Sequence, residues 1–376
     1  MKYHRREVGG VFVFLACSLF LLVTLVSDSQ PSLAGFNSPQ DPTPPSASPS
    51  PSPSPSPSPS PTPITGLHQW GAVTLFHGLP SDRVHSIRQT SDGTMWFGTE
   101  AGLARFDGRR TQTVNDPALP TGRVLSLETD QDGALWIGTE SGAARLINGS
   151  FQTIGQTIGQ SISAIIAPEN KRVLIATEQG QIFECRIGQD NTINVQTLLS
   201  TPLQSADRDR PGPLQLTSLA FANNRLYVGT QSRGVLLIEN GSVQTVTTKP
   251  LTYFVNAVST DSNGKLWAGA RARKEEPAAL KEDDRSTLVR TDAPTGPVMT
   301  IRTIGNEVWL GTDGRGVFRV SGDKVQRLTF DGTAGGLRSD HIYSIFPDSE
   351  GVIWFGTDRG VCRFDPQSPR SETVGD

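Results

Sequence analysis

The sequence predicts an all-β protein, a seven-bladed β-propeller of four-stranded antiparallel blades closed by its N-terminal strand. Three observations lead to this fold class. A short motif recurs seven times at intervals of about 40 to 50 residues, a period typical of propellers. Hairpin-type turn residues recur between successive motifs, and a strand-like segment without a repeat of its own precedes the first one.

The repeated motif is an aromatic or apolar pair followed by Gly-Thr or a close equivalent. A continuous apolar run of this kind is expected for a strand covered on both faces. The seven copies are Trp96–Thr99, Trp136–Thr139, Leu174–Thr177, Tyr227–Thr230, Trp267–Ala270, Trp309–Thr312 and Trp354–Thr357, of which the third is degenerate.

Each repeat is predicted to contain four strands, with the motif in the second. In the first repeat, a strand around Val84–Ile87 precedes an Asp92-Gly93 turn of the type found in hairpins. The third strand is expected at Gly102–Phe106 and the fourth at Gln112–Val114. Four antiparallel strands stacked against neighbouring units make a propeller blade.

The last repeat supplies only three strands, so we expect Trp70–Phe76 to complete it and close the ring. Glu372–Val374 also resembles a fourth strand and is a competing candidate for this position. The predicted boundaries are 67–366 for the propeller and 367–376 for a C-terminal tail.

Residues 1–34 form either a cleaved signal peptide or a retained membrane anchor. Val8–Val26 carries no charge, and Lys2, Arg5 and Arg6 precede it. Both alternatives send the rest of the chain outward, to a periplasmic or cell-surface location. Residues 35–66 are rich in proline and serine and are expected to be a disordered, extended linker.

The composition points away from several functional classes. The net charge is −3, so the surface lacks the basic character expected of a nucleic-acid-binding protein. No serine-hydrolase elbow, zinc-protease motif or phosphate-binding loop is present, so we expect no catalytic residues, metal or cofactor. Cys185 and Cys362 lie in repeats that do not adjoin, and we expect both thiols to be unpaired.

The run Gly78–Val84, followed by Asp92-Gly93, Trp96–Thr99 and Gly102-Leu103, resembles the two-component regulator propeller repeat. The resemblance covers about residues 70–366. It implies the extracytoplasmic sensor part of a bacterial signalling protein, which in this family is often joined to a histidine kinase. No kinase segment follows the last repeat here, so we expect a signal to pass through a partner such as a separate membrane sensor kinase.

Binding is predicted on the propeller face that carries the connections from second to third and from fourth to first strands. The long insertions Ser200–Leu214, Arg271–Arg285 and Phe330–Asp340 all fall on this face, and loops on a rigid scaffold commonly carry binding sites. Within the second insertion, Ala278–Glu282 follows a proline and is expected to form a short turn of helix. Deleting Lys274–Asp284 is accordingly expected to leave the melting temperature nearly unchanged.

The residue after each Gly-Thr should lie at one height around the propeller axis. Five of these seven residues are acidic and form either a ligand-binding ring or a set of carboxylates bonded to backbone amides. The full set is Glu100, Glu140, Glu178, Gln231, Arg271, Asp313 and Asp358. Arg83, Arg123 and His341 open first strands beside them, and the predicted ligand-binding residues are Arg83, Glu100, Arg123, Glu140, Asp313, His341 and Asp358.

The preferred interpretation is a non-enzymatic sensor that binds an extracytoplasmic glycan, peptide or protein. Two alternatives remain open at this point. One is a propeller lyase or hydrolase using the central funnel, for which His341 with Glu100 or Asp358 is the nearest approach to a catalytic pair. The other is a surface scaffold without a small ligand.

Overall fold

A computed structural model describes residues 69–199, 214–246, 254–270, 280–282, 297–322 and 324–368. These residues form seven antiparallel sheets, six with four strands and one with three. The four-stranded antiparallel blades of an all-β propeller are therefore confirmed. The blade count of seven stays a prediction, because one sheet is not a complete blade among the described residues.

The first three sheets follow the chain without interruption, each ordered from the first strand to the fourth. After β1 (Trp70–Val73), sheet 1 consists of β2 (Val84–Gln89), β3 (Met95–Thr99), β4 (Gly102–Phe106) and β5 (Thr111–Val114). Sheet 2 consists of β6 (Val124–Thr129), β7 (Leu135–Thr139), β8 (Gly142–Ile147) and β9 (Ser150–Ile154). Sheet 3 consists of β10 (Ile162–Glu169), β11 (Arg172–Thr177), β12 (Ile182–Ile187) and β13 (Ile193–Leu199).

The remaining sheets repeat this order, except that sheet 5 has three strands. Sheet 4 consists of β14 (Leu216–Ala222), β15 (Arg225–Thr230), β16 (Val235–Glu239) and β17 (Ser242–Thr245). Sheet 5 consists of β18 (Val255–Thr260), β19 (Leu266–Ala270) and β20 (Leu280–Glu282). Sheet 6 consists of β21 (Val298–Ile304), β22 (Glu307–Thr312), β23 (Val317–Ser321) and β24 (Lys324–Leu328), and sheet 7 contains β25 (Ile342–Pro347), β26 (Ile353–Thr357) and β27 (Gly360–Phe364).

The N-terminal strand completes sheet 7, as predicted. β1 pairs antiparallel with β27, with Trp70 opposite Phe364 and Val73 opposite Val361. The strand is shorter than expected, because Leu75–His77 forms a 3-10 turn that redirects the chain toward β2. The competing segment Glu372–Val374 lies outside the described residues.

The glycine of each Gly-Thr motif lets neighbouring sheets approach closely. A Cβ atom on Gly138 would lie 2.6 Å from Ile162 Cγ2, and one on Gly311 would lie 2.7 Å from Ile342 Cγ2. Ile162 and Ile342 belong to the first strand of the next sheet, which packs over the second strand of the sheet before it. First strands contact one another in chain order and β25 contacts β2, so the first strands form a closed ring.

The threonine of the motif locks the turn that follows it. The Thr99 hydroxyl donates to the Gly102 carbonyl at 2.7 Å, and Thr357 donates to the Gly360 carbonyl at 2.8 Å. Both threonines are fully buried, so this bond satisfies a hydroxyl that water cannot reach. The recurrence of Gly-Thr therefore has a packing cause and a hydrogen-bonding cause.

The helix expected within Ala278–Glu282 is wrong for the described part of that segment. Leu280–Glu282 is β20, in which Glu282 lies opposite Trp267 and Leu280 opposite Gly269. Pairing with the apolar strand β19 overrides the local helix propensity. Deleting Lys274–Asp284 would remove this strand, so an unchanged melting temperature no longer follows from the fold.

Both cysteines of the propeller are unpaired, as predicted. Cys185 and Cys362 are buried and free. Burial raises the pKa of each thiol to about 12, so neither is a reactive thiolate at neutral pH.

Candidate functional site

The backbone fixes the residues after the Gly-Thr motifs at one end of the first strands. The Glu100 amide donates to the Arg83 carbonyl at 3.0 Å, and the Glu140 amide donates to the Arg123 carbonyl at 3.1 Å. Asp313 makes the equivalent bond to Pro297 at 2.9 Å. We call this end of the central channel the mouth.

Four residues of sheets 1 and 2 form a continuous polar chain at the mouth. Arg123 bonds Glu140 through its side chain, with Nε–Oε1 at 2.7 Å, and through its backbone amide at 3.1 Å. On its other side, Arg123 Nη1 lies 3.9 Å from Glu100 Oε1. The second oxygen of Glu100 lies 2.7 Å from His85 Nε2. The two glutamates are therefore held by side chains as well as by the loops that carry them.

The ion pair shifts both of its members toward the charged form. The hydrogen bond to Arg123 lowers the pKa of Glu140, and the hydrogen bond to Glu140 raises the pKa of Arg123. His85 behaves differently, because burial lowers its pKa more than the Glu100 carboxylate raises it. At neutral pH, His85 therefore presents a neutral imidazole beside Glu100.

Sheet 7 contributes an aromatic side chain to the same place. The Tyr343 ring lies 5.7 Å from the His85 ring, and the Arg83 guanidinium lies 5.8 Å from the centre of the Tyr343 ring. Burial raises the pKa of the Tyr343 phenol. We call Arg83, His85, Glu100, Arg123, Glu140 and Tyr343 the mouth cluster.

The other predicted residues lie in sheets 6 and 7. His341 Nδ1 is within hydrogen-bonding distance of Asp313 Oδ1, and the two residues form an isolated β-bridge. The pairing of His341 with Glu100 or Asp358 considered from the sequence is not formed among the described residues, where the carboxylate bonded to His341 is that of Asp313. Asp358 has a buried Oδ1 atom with no hydrogen-bond partner among the described residues.

His85 and Tyr343 were not among the predicted site residues. Each is the second residue of its first strand, and each lies where the ladder to the second strand slips by one residue. Such a β-bulge redirects a side chain, and bulges are common next to functional sites. The same slip occurs in all seven described first strands, at His85, Leu125, Ser163, Thr217, Asn256, Met299 and Tyr343.

The first strands enclose a cavity of about 620 Å³ along the ring axis. Of the seven bulge residues, Leu125, Ser163, Thr217, Asn256, Met299 and Tyr343 line it. Their side chains differ in size and polarity around the ring. The periodic motif therefore builds the scaffold, while the non-repeating bulge residues determine the character of the channel.

Comparison with a family of known repeats agrees with this architecture. The two component regulator propeller model matches residues 78–101, 118–141 and 336–359. The chain contains repeats of the two-component regulator propeller family. The resemblance inferred from the sequence is thereby confirmed.

Solved structures share the fold at low sequence identity. The extracellular domain of a protein assigned to the hybrid two-component systems of B. thetaiotaomicron is 21% identical, with a TM-score of 0.64. That match covers 80% of this chain but 42% of the B. thetaiotaomicron chain, so this chain spans less than half the length of that protein's extracellular domain. None of the curated proteins compared with the sequence matches it.

Propellers of other kinds are also similar. Virginiamycin B lyase from Staphylococcus aureus is 14% identical with a TM-score of 0.57, and the match covers 78% of this chain and 98% of the lyase. At this level of identity the similarity shows the fold alone. The function of the mouth has to be argued from the residues that form it.

Two further properties hold within the described residues. No group of three or more His, Cys, Asp or Glu side chains there has an arrangement suited to a metal ion. None of the helices in this part of the chain is long and apolar enough to cross a membrane, and Val8–Val26 lies outside it.

Proposed function

We propose that this protein is an exported, non-enzymatic binding propeller that senses a glycan or a peptide at the mouth and signals through a separate membrane partner. In this proposal the three-stranded sheet 5 (β18–β20) counts as a blade, so that the ring has seven blades. The extracellular domains of two-component sensors among the similar structures support export and a sensor role. The partner would be a membrane sensor kinase.

The mouth cluster is the observation that carries the proposal. It combines charges of both signs with a neutral imidazole and a phenol, which suits a ligand rich in hydroxyl or amide groups. Arg123 is bonded to Glu140 and close to Glu100, so these side chains lose little freedom when a ligand arrives. Held in this way, the cluster is a preorganised polar surface on a rigid ring.

Binding to the purified protein tests the proposal. Thermal shift screening against oligosaccharides and short peptides should identify a ligand, and calorimetry should then measure its affinity. Replacing Arg123 with Gln removes the guanidinium that pairs with Glu140 and lies close to Glu100, so we expect the affinity to fall by at least tenfold. A matched control is Arg225→Gln, which removes an exposed ion pair with Glu239 on sheet 4.

Two results would contradict the proposal. Equal affinities of the Arg123→Gln and Arg225→Gln proteins would place the site away from the mouth. The absence of binding across the whole screen would favour the scaffold interpretation.

A lyase or hydrolase is a second candidate, favoured by the two histidine–carboxylate pairs at the mouth and by the fold shared with virginiamycin B lyase. A general acid or base needs such a side chain near the reacting group. Turnover of a bound ligand that disappears in the His341→Ala protein would support this candidate over the non-enzymatic one.

A further inference from the structure

A second cluster of polar side chains lies inside the channel. Each of its residues follows the bulge residue of its first strand by three positions. Arg88, Glu128 and Arg302 are the charged residues among those lining the cavity of about 620 Å³. They lie opposite Trp96, Trp136 and Trp309 in their ladders, so they occupy equivalent positions in sheets 1, 2 and 6. Two cations and one anion leave a net charge of +1 inside the channel.

Arg88 and Glu128 neutralise one another. Arg88 Nε lies 3.0 Å from Glu128 Oε1, and Arg88 Nη2 lies 2.9 Å from Glu128 Oε2. Burial alone would lower the pKa of Arg88 and raise that of Glu128, but the paired charge outweighs burial in both and shifts each pKa toward the ionised form. Both oxygens of Glu128 are therefore engaged by a bidentate partner.

Arg302 has no such partner. Among the described residues, no carboxylate or carbonyl lies within hydrogen-bonding distance of its guanidinium, although the side chain lines the cavity. Burial and, to a smaller extent, the nearby Arg88 lower its pKa to about 10, and Glu128 opposes this only in part. At neutral pH Arg302 therefore carries a full charge on a half-buried side chain, with Glu128 near it but already paired with Arg88.

We propose that Arg302 binds an anionic group inside the channel, either an inorganic oxyanion or the carboxylate of a larger ligand. A guanidinium presents paired N–H donors that match the oxygens of sulfate or a carboxylate. Ser259, at the equivalent position of sheet 5, also lines the cavity and offers a hydroxyl. Arg302 is not part of the mouth cluster, although Tyr343 of that cluster lines the same cavity.

Calorimetry on the full-length chain at low ionic strength tests the proposal, with sodium sulfate and sodium acetate as probes. We expect the wild-type protein to bind one equivalent of at least one probe. Preference for sulfate would indicate an inorganic oxyanion, and preference for acetate would indicate a carboxylate ligand. Arg302→Met should weaken binding at least tenfold, because the donor fork is removed.

The matched control is Arg109→Met, which removes one positive charge from an exposed turn between β4 and β5. It should bind the probes as tightly as the wild type, which separates the site from a general effect of salt. Thermal unfolding without added anion provides a check on folding. Arg302→Met should melt at the same temperature as the wild type or higher, because it relieves the repulsion with Arg88.

Arg302→Lys is a second variant that keeps the charge and loses the planar fork. Its affinity should fall several-fold while its fold is retained. The proposal is overturned if the wild type binds neither probe, or if Arg302→Met or Arg302→Lys binds them as tightly as the wild type does.

Discussion

Arg145 is a fully buried cation in sheet 2 that depends on a single carboxylate. Its Nη2 lies 3.3 Å from Asp130 Oδ2, while its Nε and Nη1 atoms have no hydrogen-bond partner in the described structure. The guanidinium also lies 5.5 Å from the centre of the Trp136 ring. Asp130 binds the Trp136 indole N–H at 2.8 Å as well, so one side chain links the turn, the tryptophan and the arginine.

We therefore expect Asp130→Asn to destabilise the propeller by about 3 kcal/mol, because it leaves Arg145 as an unpaired buried charge. Asp348→Asn is the matched control. Asp348 accepts the same bond from the indole of Trp354, at 2.7 Å, but has no arginine partner among the described ion pairs. Urea denaturation of both variants should show the larger loss for Asp130→Asn, and equal losses would mean that the ion pair contributes nothing.

His85, at the mouth, should make the stability of the propeller depend on pH. Burial holds its pKa below the ordinary value, so the unfolded chain takes up a proton at a higher pH than the folded protein does. The free energy of unfolding should therefore fall as the pH decreases from 7.5 through about 6.5 toward the lower pKa of the folded state.

Replacing His85 with Asn should reduce this loss of stability, which urea denaturation at pH 7.5 and pH 5.5 can measure. The relevant quantity is the difference between the two pH values in each protein. If the variant loses as much stability as the wild type on acidification, His85 is not the group responsible.

At the scale of single elements, β1 is held to sheet 7 by more than its ladder. The Trp70 ring lies 4.6 Å from the Phe364 ring. Leu337, in the loop between β24 and β25, is fully buried. Gly336 of the same loop lies so close to Trp70 that a Cβ there would be 2.5 Å from its ring. Removing β1 would expose the edge of β27 and empty the space under this loop.

We expect a chain that lacks residues 1–65 to remain folded and one that lacks residues 1–78 to aggregate. An unpaired strand edge such as that of β27 invites association with other chains. Size-exclusion chromatography of both truncations measures the outcome, with the shorter deletion as the control. A monodisperse protein without residues 1–78 would contradict the role of β1 in closing the ring.

The sequence predicts those elements whose physical cause recurs in every repeat. Close packing over Gly138 and Gly311 and the buried Thr99 hydroxyl are reasons for Gly-Thr to recur in most copies, so the second strands could be located. β20 could not be located, because Leu280–Glu282 carries no such motif and its strand form depends on pairing with β19.

The site is predicted less completely for a related reason. The loop after Gly-Thr is repeated, so Glu100 and Glu140 could be placed at the mouth. His85 and Tyr343 enter the site through bulges, which are local slips of register that leave no mark in composition. The contact of Arg123 with Glu100 also depends on the distance between sheets 1 and 2, which the sequence does not contain.

At the scale of the whole molecule, sheet 5 should be the point where the ring is weakest. Its described part has three strands, and β20 pairs with β19 over only three residues. Its first strand β18 nevertheless contacts β14 on one side and β21 on the other. A loss of stability in sheet 5 should therefore be transmitted to sheets 4 and 6.

Lys281→Pro tests this transmission, because proline removes the backbone donor at the centre of β20, opposite Ala268. We expect the melting temperature to fall by several degrees while unfolding remains a single transition, since the ring unfolds as one unit. Lys281→Ala is the control and should leave the melting temperature nearly unchanged, because it alters only the side chain. A separate early transition in the Lys281→Pro protein would instead show that sheet 5 unfolds independently, and an unchanged melting temperature would show that β20 contributes nothing to the ring.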